Sequence, residues 1–206
     1  MTLYDLIFPP MCPYCGELTG DVRESCERCA KLLEAEPHKT PLDCGAVCWS
    51  VFIYGDSTQK AILDYKYRRR KQSGKSFALT LTRIIEEYIG RDNIDLITGV
   101  PAKKDYSGSR FDQVMFLMKR LTKITGIPNR QTLMLTRKKQ FQHSLNKDER
   151  RENVKGLFRV ILPDDVKDKR ILLIDDVVTT GATLDSCAEE LLNSGAKSVV
   201  CLTLAW

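Results

Sequence analysis

The chain has 206 residues, 43% of them hydrophobic and 29% charged, with a formal net charge of +5. That composition suits one ordinary core with a small appendage, and it excludes a disordered polar chain; no internal repeat or low-complexity tract is found. No run of about eighteen apolar residues exists, and the opening MTLYDLIFPPMCPYCG lacks the basic start and apolar core of a secretory signal, so a cytoplasmic protein without membrane insertion is expected.

Cysteine comes first in chain order. Six of the eight cysteines precede residue 50, and Cys12-Pro-Tyr-Cys15 is repeated as Cys26-Glu-Arg-Cys29 after ten residues. Two CxxC knuckles at that separation present four thiolates to a tetrahedral metal, for which Zn²⁺ is the expected ion. With no open coordination position, the zinc is structural rather than catalytic, and it supplies folding free energy that a segment of about forty residues lacks. A thioredoxin-type redox pair is the competing reading, but that motif comes singly and in a βαβ setting. Cys44 and Cys48 form a CxxxC without a second pair; they read as core or boundary cysteines or as half of a second site, and Cys187 and Cys201 read as core.

Residues 30–46 read as a short helix and then a linker, which places a zinc ribbon and linker at 1–46 and the main domain at 47–206. Val47 to Tyr54 reads as a strand. Apolar spacing predicts helices over Ser57–Tyr67 and Phe77–Ile89, a strand over Ile94–Val100, a helix over Asp112–Thr125 and a short strand around Leu133. After a charged stretch, Ile171–Ile174 and Ser198–Leu204 complete the strands. Strands alternating with helices predict an α/β fold with a mostly parallel sheet flanked by helices.

The richest segment is ILLIDDVVTTGAT, from Ile171 to Thr183. Four apolar residues predict a strand buried on both faces, and a helix follows with Leu184, Ala188, Leu191 and Leu192 as its apolar positions. Thr179, Thr180, Gly181 and Thr183 fall where a helix start leaves N–H groups unpaired, a setting for a phosphate. Asp175 and Asp176 suit instead the vicinal hydroxyls of a ribose, or a divalent cation such as Mg²⁺. A sugar phosphate is the implied ligand; ordinary helix capping by Asp and Thr is the simpler alternative. Basic clusters at Lys66 to Lys71, at Lys103 and Lys104, at Arg137 to Lys139, and at Arg150 and Arg151 are either solvated surface or anion-binding ground.

The thirteen residues resemble the phosphoribosyl pyrophosphate (PRPP) signature of type I phosphoribosyltransferases. The resemblance implies that Asp175 and Asp176 hold the ribose hydroxyls, and that the loop running Val177, Val178, Thr179, Thr180, Gly181, Ala182 and Thr183 holds the 5′-phosphate, with Mg²⁺ bridging ribose and pyrophosphate. The Cys12-to-Cys29 quartet, VPAKKDYSGSRFDQ from Val100 to Gln113 and QHSLNKDERRENVKGLF from Gln142 to Phe158 extend the likeness to the ComF family of competence-associated proteins. In that likeness Ala102, Lys103 and Lys104 form the pyrophosphate loop. Gln142, Arg150 and Asn153 belong to a mobile hood, with Arg150 joining the two aspartates as a catalytic candidate and His143 as a weaker one. The chain departs from the family's Arg-Gly-Phe-Asn-Gln at Ser109, Arg110, Phe111, Asp112 and Gln113, where the arginine is displaced.

Three functions follow from the resemblance. The first is transfer of the 5-phosphoribosyl group to an unspecified acceptor with loss of pyrophosphate, in a protein associated with DNA uptake. The second is a non-catalytic, PRPP-responsive protein that binds single-stranded DNA through its basic surface and works with competence or DNA-processing proteins. The third is an adaptor whose ribbon holds a partner, which leaves the aspartate pair without a role.

Overall fold

The computed structural model describes residues 11–12, 14–19, 25–33, 36–67, 71–101, 112–136 and 156–206. In the main sheet the strands β1 (His38–Pro41), β2 (Val47–Phe52), β3 (Leu96–Gly99), β6 (Arg170–Val177) and β7 (Ser198–Ala205) lie in the order β1-β2-β7-β6-β3. Only β1 runs antiparallel to its neighbour. The α/β architecture with a mostly parallel sheet is therefore the one expected from the alternating pattern. Beyond β3, a bridge between Ile97 and Asn129 continues the parallel pairing by one residue.

The central strands are apolar because both faces are covered. Ile171 to Ile174 are all buried. Leu172 and Ile174 pack with Leu202 and Leu204 against α2 (Asp56–Tyr67), α3 (Lys71–Ile84, continued by a π turn Ile85–Ile89) and α4 (Gln113–Thr125). Ile171 and Leu173 pack with Val199 and Cys201 against α6 (Ala182–Asn193) and the short helix α5 (Pro163–Val166). Alternation along each strand thus divides the interior into two layers.

Helix α4 shows how local sequence sets an element. The Asp112 side chain accepts the Met115 N–H at 2.8 Å as its N-cap, and Gly126 in the left-handed region closes the other end. Val114, Leu117, Met118, Leu121 and Thr125 form the buried stripe between them. Asp112 occupies the Asn position of the family motif, and either residue caps a helix.

Several elements differ from the sequence expectation. The expected linker contains β1, because HKTP has no apolar alternation to reveal it; an edge strand tolerates Pro41, which pairs with Val47. Lys39 lies over the Trp49 ring at 5.2 Å and His38 stacks on Trp206 at 4.4 Å, so this edge is held by side chains as well as by its ladder. The strand near Leu133, β4 (Leu133–Leu135), stands outside the parallel sheet and pairs antiparallel with β5 (Phe158–Val160), which the charged stretch had hidden. This ribbon packs beside α6, where Glu190 accepts the Val160 N–H. The second predicted helix begins earlier, at Lys71, and β6 runs on through both aspartates to Val177.

Helix α1 (Glu27–Leu33) and the turn at Cys12–Gly16 make a compact N-terminal knuckle. It docks on the main core through Tyr14, whose hydroxyl is hydrogen-bonded to Thr80 of α3 at 3.1 Å and whose ring meets Phe52 and Phe77 edge-on. Among the described residues no helix is long and apolar enough to cross a membrane.

Candidate functional site

The carboxyl end of β6 carries the two aspartates. Because successive strand residues face opposite ways, Asp176 points to the α2 and α4 layer and Asp175 to the α6 layer, where its carboxylate form would push up the thiols of Cys48, Cys187 and Cys201. Asp176 is 8% exposed. Its Oδ2 accepts Lys66 Nζ at 2.8 Å and Gln113 Nε2 at 3.3 Å, and its Oδ1 accepts the Val177 N–H at 2.8 Å. Three donors from three segments therefore set its orientation.

Burial, followed by the neighbouring Asp176 charge, pushes the Asp175 carboxyl up to about 8, although its backbone bond to the Asp176 N–H favours the charged form. Burial also works against the Lys66 ammonium, yet the Asp176 carboxylate and its hydrogen bond outweigh it and raise the lysine above its ordinary value. Tyr65, next to Lys66, is fully buried and donates to the Gln113 carbonyl at 2.6 Å. Gly74 of α3 makes room for that ring, since a Cβ there would lie 2.6 Å from Tyr65 and 2.7 Å from Phe116.

The loop after β6 supplies donors. Val178 N–H bonds to the Ala205 carbonyl, which ties the loop to the end of β7. Gly181 takes φ +76°, and Ala182 N–H lies 3.5 Å from Thr180 Oγ1. Among the described residues the amides of Thr179, Thr180, Gly181 and Thr183 meet no acceptor. Unpaired amides around a left-handed glycine at a helix start form a concave donor set suited to an anion. The turn between β1 and β2 braces it: a Cβ on Gly181 would lie 3.2 Å from Leu42, and Asp185 of α6 accepts the Cys44 N–H at 2.8 Å.

The structure thus places Asp175 and Asp176 on successive residues of one strand end and Val177 to Thr183 directly after them. Ala102, Lys103, Lys104, Gln142, Arg150 and Asn153 lie outside the described residues, as does His143. The β4–β5 ribbon does bring Thr136 and Gly156 together, with a 2.8 Å bond from Thr136 Oγ1 to the Gly156 carbonyl. Sequence reasoning missed Lys66 and Gln113 as partners of Asp176. Lys66 heads a basic run and Gln113 ends a family block, but neither signal names the contact.

At the other end of the chain Cys12, Cys15, Cys26 and Cys29 converge, their Sγ atoms all within 4.8 Å of one another and Cys15 and Cys26 at 3.5 Å. Four thiolates about 2.3 Å from a tetrahedral ion stand about 3.8 Å apart, so this cluster fits one metal ion. Cys48, Cys187 and Cys201 are buried in the core and Cys44 is half-buried.

Residues 114–205 match the phosphoribosyl transferase domain. Together with the mostly parallel sheet, this defines a protein with a phosphoribosyltransferase domain. The chain is 30% identical to the DNA utilization protein YhgH of Salmonella typhi, across 94% of this chain and 85% of that one. It is 23% identical to competence protein F of Haemophilus influenzae, across 91% and 82%. The chain belongs to the ComF family of competence and DNA utilization proteins with a phosphoribosyltransferase domain. Among solved structures it is similar to the purine phosphoribosyltransferase of Pyrococcus horikoshii Ot3, with a TM-score of 0.39 and 23% identity over 62% of this chain and 71% of that one.

Proposed function

We propose that the protein binds PRPP together with Mg²⁺ at the end of β6 and acts in the cytoplasm as a phosphoribosyltransferase. The four acceptor-free amides of the Thr179–Thr183 loop carry the reading. With the threonine hydroxyls they would donate to the 5′-phosphate, each charge-assisted bond contributing about 1.5–3 kcal/mol. Asp176, oriented by three donors, would accept the ribose hydroxyls. Lys103, Lys104 and Arg150 are the counter-charges proposed for the departing pyrophosphate, whose charge grows as the anomeric bond breaks. Mg²⁺ would neutralise part of that polyphosphate. Zn²⁺ is the ion proposed for the four cysteines, in a structural role, with residues 1–46 as ribbon and linker, the linker lending β1 to the sheet of the main domain at 47–206.

Calorimetry with PRPP and Mg²⁺ tests the site. Asp175→Ala combined with Asp176→Ala should abolish binding in a chain that remains folded by circular dichroism, and undiminished binding refutes the reading. Pyrophosphate release with a panel of bases and amines then tests turnover. If binding occurs without release for any acceptor, the PRPP-responsive, DNA-binding reading replaces it, and single-stranded DNA affinity should then fall steeply with salt.

A further inference from the structure

The Lys66–Asp176 contact orients the carboxylate, yet it also occupies the oxygen that the ligand needs. Asp176 Oδ2 already accepts two hydrogen bonds, from Lys66 and Gln113, while Oδ1 is taken by the Val177 amide. A divalent cation arriving alone would meet an ammonium 2.8 Å from its intended ligand atom, and the two positive charges repel. The Lys66 side chain keeps 36% of its surface exposed, whereas that of Asp176 keeps 11%, so the lysine is the partner with freedom to leave. Its helix has none: Tyr65 is clamped by Phe77, Phe116 and the Gln113 carbonyl, which fixes the point from which the lysine swings.

Resting on the PRPP reading above, we infer that Lys66 is a resident cation that holds Asp176 while the site is empty and passes to the ligand's phosphate groups when a phosphorylated sugar arrives with its divalent cation. The exchange conserves charge pairing. Asp176 trades an ammonium for the incoming cation and ribose hydroxyls, and the released ammonium finds phosphate oxygens instead of water. Metal binding is thereby contingent on the phosphorylated sugar, and Lys66 acts as a positioning residue for that order.

The test uses the full chain, with Mn²⁺ as the probe and its free-ion paramagnetic resonance signal as the readout, beside calorimetry of PRPP·Mn²⁺. Lys66→Met should tighten free Mn²⁺ about tenfold and weaken PRPP·Mn²⁺ about tenfold, the scale of one charge-assisted hydrogen bond. Lys66→Arg should stay within about threefold of the parent for both, because the charge is kept. A purely structural lysine predicts that both affinities fall together in Lys66→Met; that result, or no change in either, overturns the inference. Lys66→Gln serves if the methionine variant does not fold. Asp176→Asn separates this inference from the reading beneath it. Parent-like PRPP·Mn²⁺ binding by that variant overturns the site assignment and the inference with it, whereas lost binding there, with an inert Lys66→Met, overturns the inference alone.

Discussion

Tyr14 stands between the first two cysteines, and its side chain leaves the knuckle to enter the main core. Tyr14→Ala removes two edge-on ring contacts, to Phe52 at 6.1 Å and Phe77 at 5.7 Å, and the 3.1 Å hydrogen bond to Thr80. At about 0.5–1.5 kcal/mol for each aromatic pair and about 1 kcal/mol for the hydrogen bond, the loss comes to about 3 kcal/mol. For a chain of this size each kcal/mol moves the melting temperature by about 2–4 °C, so the main transition should fall by about 6–12 °C. Differential scanning calorimetry reads the transition, and elemental analysis of the same sample reads the metal. Tyr14→Phe should lose only the hydrogen-bond share. Chelation should reproduce much of the alanine effect, because the knuckle that presents Tyr14 is held by the four cysteines. An unchanged main transition in Tyr14→Ala, with metal retained, would show that the knuckle contributes nothing to the core.

Asp95 accepts the Arg170 guanidinium at 2.6 and 2.9 Å and its backbone N–H at 2.8 Å, which holds the Asp95 carboxyl well below the usual carboxylate range. A depressed folded-state value stabilises above the unfolded value near pH 4 and is lost as pH falls through the folded one; with Arg170 about a third exposed, Asp95→Asn should cost about 1 kcal/mol in urea unfolding at pH 7 and converge with the parent in strong acid. A deficit that persists unchanged at the acid end would count against the ion pair. Gly181→Ala places a side chain at φ +76° and 3.2 Å from Leu42, so it should lower stability by about 1–2 kcal/mol and weaken PRPP binding in calorimetry. Asp112→Ala removes the N-cap of α4 at a cost of about 1 kcal/mol, and hydrogen exchange should show the first turn of that helix, including Gln113, opening more often.

Features written in local spacing were legible from the chain. The paired CxxC predicted the convergence of Cys12, Cys15, Cys26 and Cys29, apolar periodicity located α2, α4 and α6, and the acid-to-threonine segment marked the end of β6. Two strands escaped because HKTP carries no period of two and the three residues Phe158–Val160 are too few to reveal one; each is a strand only by virtue of its partner. The partners of Asp176 escaped for a related reason, since Lys66 lies 110 positions away and Gln113 63. Tyr14 likewise reaches Thr80 across 66 positions. Helix periodicity, capping and metal-ligand spacing act within a few turns of chain, so local patterning was enough for most helices, the buried strands, the cysteine knuckle and the acid-to-threonine turn. Which ammonium faces which carboxylate depends on the order β1-β2-β7-β6-β3, and only tertiary packing, by bringing distant segments against one strand end, decided that.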